Sequence, residues 1–321
     1  MRLELCNQSK YRHSGRLGDD VPLIVPGEVY GVFDGATDAR GTTIDGVGAG
    51  RLAAETVARA TARLARDAAT RDLPVAGLIE ALSTALAART APLGLPIPPS
   101  TTLAVAFDCA AEWRFVALGD SGIRLNGSEV LRREKLIDQV STLARVAVFL
   151  DRRTQHDDPE RAEAEARAAI LLGFDQAVAS GVLTRDRAAD IIRDVTNRTG
   201  LSDHAGLVRG FLCGGIQTQF GFGNATGNPL CFDTMSGTRP LLGETIDIRR
   251  PKSAIHSIEI FSDGYVDPPA AVSVAGWEAG FEAAEREDYH KIGRHAGVKG
   301  STRDEVFDDR TVLVLRDLVS A

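Results

Sequence analysis

A set of aspartates stands where runs of β-forming residues stop or start. Asp34 follows VYGVF, Asp120 follows FVALG, Asp263 follows IEIFS, and Asp308 precedes the strand-like run TVLVL. Asp19 and Asp20 form an acidic pair near the start, and Asp267 lies just past Asp263. Taken singly, an Asp-Gly pair marks a turn, because the Asp side chain caps its own backbone and Gly tolerates left-handed conformations. Taken together, strand ends of one sheet system can bring distant carboxylates to one place. Carboxylates that converge raise one another's pKa unless cations are present. Hard divalent ions with oxygen ligands, Mg²⁺ or Mn²⁺, remove that conflict.

The elements that must position these residues are legible. Val29 to Phe33 is β-rich and stops at the Asp34-Gly35 turn. Leu52, Thr56, Val57, Ala60 and Leu64 recur at helical spacing and predict a helix over Ala49 to Asp67, with a second from Val75 to Arg89. Pro92 to Pro99 then breaks the chain. Thr101 to Asp108 and Trp113 to Leu118 predict an antiparallel hairpin leading into Gly119-Asp120-Ser121-Gly122. From Leu136 to about Arg198 the character is helical, with Asp158-Pro159-Glu160 and Thr184 as helix starts. Phe211 to Gly243 is Gly- and Asn-rich and irregular, and strands return at Ser257 to Phe261 and Thr311 to Leu315. Strands on both sides of the helical block predict a single domain, 1–321, with a mainly helical insertion at about 136–210.

Composition narrows the class. The chain has 321 residues, 44% hydrophobic and 25% charged, which is ordinary for a globular protein with a core. Lys and Arg total 37 against 44 acidic residues, a net charge of −7, which argues against nucleic-acid binding and against an anionic membrane as partner. Cys6, Cys109, Cys213 and Cys231 are far apart and suggest reduced thiols. No apolar run is long enough for a membrane span or a signal peptide, so a cytoplasmic location is expected.

Five segments, GVFDG (31–35), PSTTLAVAF (99–107), FVALGDSGIRL (115–125), IFSDGYVD (260–267) and DDRTVLVL (308–315), occur in one order across most of the chain. In that order the sequence resembles the PP2C-type (PPM) metal-dependent serine/threonine phosphatases, as a divergent bacterial-type member. The resemblance implies an α+β fold, a four-layer α/β/β/α sandwich of two mostly antiparallel sheets flanked by helices. It implies two ions, Mn²⁺ or Mg²⁺, bridged by Asp34 with the Gly35 carbonyl beside it, and a weaker third. Asp263 and Asp308 would hold the first metal, with Asp308 preferred to Asp309 because it takes the Asp position of the family's Asp-Asn pair. Asp19 and Asp20 fall beside the second metal, and Asp120, Asp263 and Asp267 match the third. Arg16 lies one residue out of register with the family's phosphate-binding Arg, and Arg12 is an outside candidate. The implied reaction is attack of a metal-bridging hydroxide on the phosphorus of phosphoserine or phosphothreonine in a phosphoprotein substrate.

Several positions depart from the pattern. Ala36 stands where many members carry a His that protonates the leaving group, and His13 is a substitute candidate. Gly18 replaces the usual Asn, and the flap motif is not recognisable over Asn224 to Gly243. Other motifs fall short. GDSG at Gly119 resembles a serine-protease nucleophile segment but lacks its second flanking Gly. GVFDGAT resembles haloacid-dehalogenase phosphatases but has Val32 where their nucleophilic Asp belongs. Gly46, Gly48 and Gly50 lack the Lys of a phosphate loop and read as close packing at a helix entrance. Two other functions stay open: a non-catalytic phosphatase-like module that meets a partner through the helical insertion, and a phosphatase of small phosphoesters.

Overall fold

Side-chain alternation along the strands sorts the chain into layers. In the computed structural model, which describes residues 1–38, 40–237, 243 and 245–318, the strands are β1 (Arg2–Gln8), β2 (Val21–Val25), β3 (Val29–Phe33), β4 (Thr43–Ile44), β5 (Val47–Gly48), β6 (Leu103–Asp108), β7 (Glu112–Leu118), β8 (Gly122–Leu125), β9 (Glu129–Leu131), β10 (Ile246–Pro251), β11 (Ser257–Phe261) and β12 (Arg310–Arg316). The helices are α1 (Ala49–Ala65), α2 (Ala68–Arg71), α3 (Val75–Thr90), α4 (Leu136–Arg153), α5 (Pro159–Leu172), α6 (Phe174–Ala179), α7 (Arg185–Arg198), α8 (Ala205–Gly214) and α9 (Val274–Glu287).

Two five-stranded antiparallel sheets form, one in the order β1-β12-β11-β8-β9 and the other β10-β7-β6-β3-β2, with β4 and β5 as a small hairpin. Successive strand residues face opposite sides. Tyr30, Val32, Ala104, Ala106, Phe115 and Ala117 of the second sheet therefore meet Ile123, Leu125, Ile258, Ile260, Leu313 and Leu315 of the first in one buried core. The alternate residues, Val29, Phe33, Leu103, Val105, Phe107, Val116 and Leu118, pack instead against α1 and α3 through Val57, Leu78, Leu82 and Leu86. On the other side of the first sheet, Trp277 of α9 lies against Phe261, ring centroids 4.7 Å apart, and donates to Glu259 at 2.7 Å. The result is the expected α+β sandwich of two antiparallel sheets flanked by helices.

Boundaries follow local chemistry. The helix expected to reach Asp67 ends at Ala65, and Asp67 instead caps α2 by accepting from the Ala69 amide at 2.9 Å. Asp158 and Thr184 cap α5 and α7 as expected, accepting from the Glu160 and Arg187 amides. The strand expected from Thr101 begins at Leu103, because the Thr101 and Thr102 amides bond to Met235 and Asp34 carbonyls outside the ladder.

The chain divides into two compact units. The first, Met1–Glu134 with Phe232–Ala283 and Asp308–Ala321, contains both sheets. The second, Lys135–Cys231 with Ala284–Phe307, is helical and encloses the stretch expected at 136–210. Its interior holds a buried ion pair, Arg145 to Glu163 at 2.5 Å, and the Arg145 guanidinium also donates to the carbonyls of His290, Lys291 and Gly297. All four cysteines are free thiols. Among the described residues no helix is long and apolar enough to cross a membrane.

Candidate metal centre

Strand register brings the aspartates together. β3 and β6 pair antiparallel with Val32 opposite Ala104, so the end of β3 lies beside the start of β6. There the Asp34 amide donates to Thr102 Oγ1 at 3.2 Å, and the Asp34 carbonyl accepts from the Thr102 amide and Thr101 Oγ1, both at 2.8 Å. Leu103 also opposes Leu118, which sets the end of β7, and Asp120 beyond it, at the same end of the second sheet. Thr102 Oγ1 and Ser121 Oγ, 2.5 Å apart, clamp the crossing from β7 to β8. In the first sheet Phe261 opposes both Gly122 and Val312, so Asp263, Asp120 and the Asp308-Asp309 pair gather at one end.

Asp34, Asp120 and Asp263 come closest: each offers a carboxylate oxygen, and the three lie within 4.8 Å of one another. Burial, with Asp263, Asp20, Asp120 and Asp308 around it, holds the Asp34 carboxyl well above the ordinary carboxylate range. Burial likewise pushes Asp20 up to about 7; a hydrogen bond from Ser262 opposes this, while Asp309 and Asp308 add to it. Ser262 Oγ donates to Asp20 Oδ2 at 2.7 Å, and Asp20 Oδ1 is buried with no hydrogen-bond partner among the described residues. An all-oxygen donor set, a buried carboxylate oxygen with spare lone pairs and crowded negative charge fit a hard divalent cation.

The turn expected at Asp34-Gly35 is absent, because Gly35 continues past β3 in an antiparallel bridge to Thr101, and close backbone packing holds that segment. A Cβ on Gly35 would stand 2.4 Å from the Gly50 carbonyl group, and one on Gly50 would stand 2.4 Å from the Ala36 oxygen. The entrance of α1 therefore seats directly against Gly35 and Ala36. Arg51 of α1 reaches back, donating to the Gly18 carbonyl at 2.7 Å and fixing the loop that carries Asp19 and Asp20.

The remaining expected residues sit around this cluster. Asp308 is half-buried, accepts from the Asp309 amide at 3.0 Å and contributes to the field on Asp34. Asp19 is half-buried, and its Oδ2 accepts from Thr37 Oγ1 at 3.0 Å. Gly35 is buried and bridges to Thr101. Asp267 is exposed and is not among the three clustered residues. Arg16 is exposed, with its guanidinium 4.3 Å from the centre of the Tyr11 ring, and Arg12 and His13 are exposed as well. Part of the expected flap, residues 238–242, lies outside the described residues.

Lys10 escaped the sequence reading, and Asp309, set aside there in favour of Asp308, is its partner. Lys10 is buried and places its Nζ 3.2 Å from Asp309 Oδ2 and 3.5 Å from Asp19 Oδ2. Burial works against its charge, yet Asp308, Asp309 and Asp19 outweigh it and raise the lysine above its usual pKa. Asp309 accepts from the Lys10 amide at 2.7 Å and the Asp19 amide at 2.9 Å, bracing two loops against the start of β12. A Cβ on Gly18 would stand 2.3 Å from Asp309 Oδ1. The signal was present as two departures from the resemblance, Gly18 and Asp309 in place of Asn, which occupy one space.

No family model and no curated protein matches the chain. Solved structures do align with it from end to end. The Mycobacterium tuberculosis serine/threonine phosphatase PstP/Ppp covers 97% of this chain and 97% of its own, at 18% identity and a TM-score of 0.44. The catalytic domain of PstP, solved with two manganese ions, covers 97% and 96% at 17% identity and a TM-score of 0.43. Serine/threonine phosphatase Stp1 from Staphylococcus aureus covers 100% and 96% at 10% identity and a TM-score of 0.47. A likeness at this level leaves the chemistry to the side chains.

Proposed function

We propose that the chain is a metal-dependent phosphatase acting on phosphoserine and phosphothreonine in proteins. The observation that carries this reading is the Asp34–Asp120–Asp263 cluster, three carboxylates from different strand ends with ligand oxygens within 4.8 Å. The five ordered segments quoted above point to the same chemistry. A divalent cation bound there, Mn²⁺ or Mg²⁺, supplies Lewis acidity and an activated water.

The chain's own groups do the rest. Asp34 and Asp263, from the two facing sheets, would hold the cation together with Asp120. Asp20 and Asp308 surround that set with negative charge, which raises affinity for cations over neutral occupants. Arg16 sits on the exposed loop ahead of Asp19, where its guanidinium can fork onto phosphoryl oxygens. Ala36 has no proton to give, which leaves water or the exposed His13 to protonate the leaving oxygen. Four free thiols suit a reducing, cytoplasmic setting.

Hydrolysis of p-nitrophenyl phosphate by metal-stripped protein, with and without added Mn²⁺ or Mg²⁺, tests the reading. Turnover should require metal, vanish with EDTA, and fall by at least about 100-fold in Asp263→Asn. Equal turnover in EDTA would overturn it. Phosphopeptides run beside small phosphate esters then decide the substrate class.

A further inference from the structure

Lys10 has no counterpart in the expected site, and its surroundings are fully built. Its side chain is 5% exposed. Nζ donates to Thr37 Oγ1 at 2.8 Å, and Thr37 Oγ1 donates its one proton to Asp19 Oδ2 at 3.0 Å. The ammonium itself stands 3.5 Å from the same Oδ2 and 3.2 Å from Asp309 Oδ2. The other oxygen, Asp19 Oδ1, lies over Gly48, where a Cβ would come within 2.9 Å of it, so glycine leaves that carboxylate its place.

We propose that Lys10 is a fixed internal cation on the Asp19 side of the site, so that the chain binds one divalent ion, at Asp34, Asp120 and Asp263, rather than two. This rests on the metal-dependent reading above and sharpens it. Asp19 Oδ2 is already engaged by an ammonium and a hydroxyl. A divalent ion added there would stand next to a positive charge that burial shields from water, and like charges at such range repel strongly. Lys10 is also locked in place at its backbone, because its own amide donates to Asp309 Oδ1. Gly18 makes room for that carboxylate. Lys10, Gly18, Asp19 and Asp309 thus form one interlocked group in which the ammonium supplies the positive charge. Lys10 acts here as a positioning residue and touches no reacting atom.

The test is the metal count of stripped wild-type protein, by calorimetry with Mn²⁺ and by electron paramagnetic resonance of the loaded protein. One Mn²⁺ per chain with an isolated six-line spectrum is expected. Lys10→Met should take a second ion and show a spin-coupled pair, whereas Lys10→Arg, which keeps the charge, should stay at one. Two ions in the wild type would overturn the proposal, as would a Lys10→Met protein that still binds one. Should Lys10→Met fail to fold without metal, the wild-type count decides alone. No Mn²⁺ bound by the wild type is a different result, and it overturns the metal-dependent reading itself.

Discussion

Asp20 shows what burial, with Asp309 and Asp308 nearby, costs a metal-free carboxylate. Its folded pKa is pushed to about 7, against roughly 3.9 for an unperturbed Asp. Between those values the folded state holds a proton that the unfolded state has released, so stability falls as pH rises. The contribution is present in full below the unfolded pKa and is lost as pH climbs through about 7. Metal-stripped protein should therefore melt at higher temperature at pH 5.5 than at pH 7.5. Asp20→Asn, which removes the titration, should flatten that slope in a thermal scan. A slope unchanged in the variant would count against the burial of Asp20. Asp34 and Asp263 were legible as candidates because each ends an apolar run with Asp-Gly. Lys10 was not, because a lysine in a polar loop looks solvated until its partner, Asp309, arrives 299 residues later.

At the scale of elements, the bridge segment after β3 and the entrance of α1 form one unit of close packing. Of Gly46, Gly48 and Gly50, which the sequence marks as close packing at a helix entrance, Gly50 meets the Gly35-Ala36 backbone and Gly48 leaves room for Asp19, whereas Gly46 has open space around it and serves its left-handed φ of 80°. Gly35→Ala would drive a methyl into the Gly50 carbonyl group. It should cost about 1–3 kcal/mol in urea unfolding and weaken metal binding, because Asp34 precedes the displaced residue. Periodicity placed β3 and β11 on the expected runs and α1, α3, β6, β7 and β12 within one or two residues, whereas Phe211–Gly214, expected to be irregular, completes α8 because Val208, Phe211 and Leu212 give it a buried face. β1 did not stand out as a strand. Its residues are mostly exposed, and its structure comes from pairing with β12, from Arg2 opposite Arg316 to Gln8 opposite Arg310. Such pairing leaves little trace in a local pattern.

At the scale of the whole molecule, a net charge of −7 should shape which phosphoproteins are turned over. A phosphorylated peptide approaches an acidic surface, so basic residues flanking the phosphate should favour encounter. Phosphopeptides with flanking Lys or Arg should show kcat/KM about tenfold above acidic ones at low salt. The gap should close as ionic strength shortens the screening length to about 8 Å and below. Equal rates at all salt concentrations would place recognition elsewhere. The pairing of β1 with β12 has a further consequence for how the protein is made. β12 lies between β1 and β11 in the first sheet, and Asp308 and Asp309 lead into it. Until β12 leaves the ribosome, β1 lacks its one neighbour and the carboxylate end of the sheet is open. A nascent chain can therefore carry Asp34, Asp120 and Asp263 yet have no settled frame around them, so synthesis itself delays competence until that strand arrives.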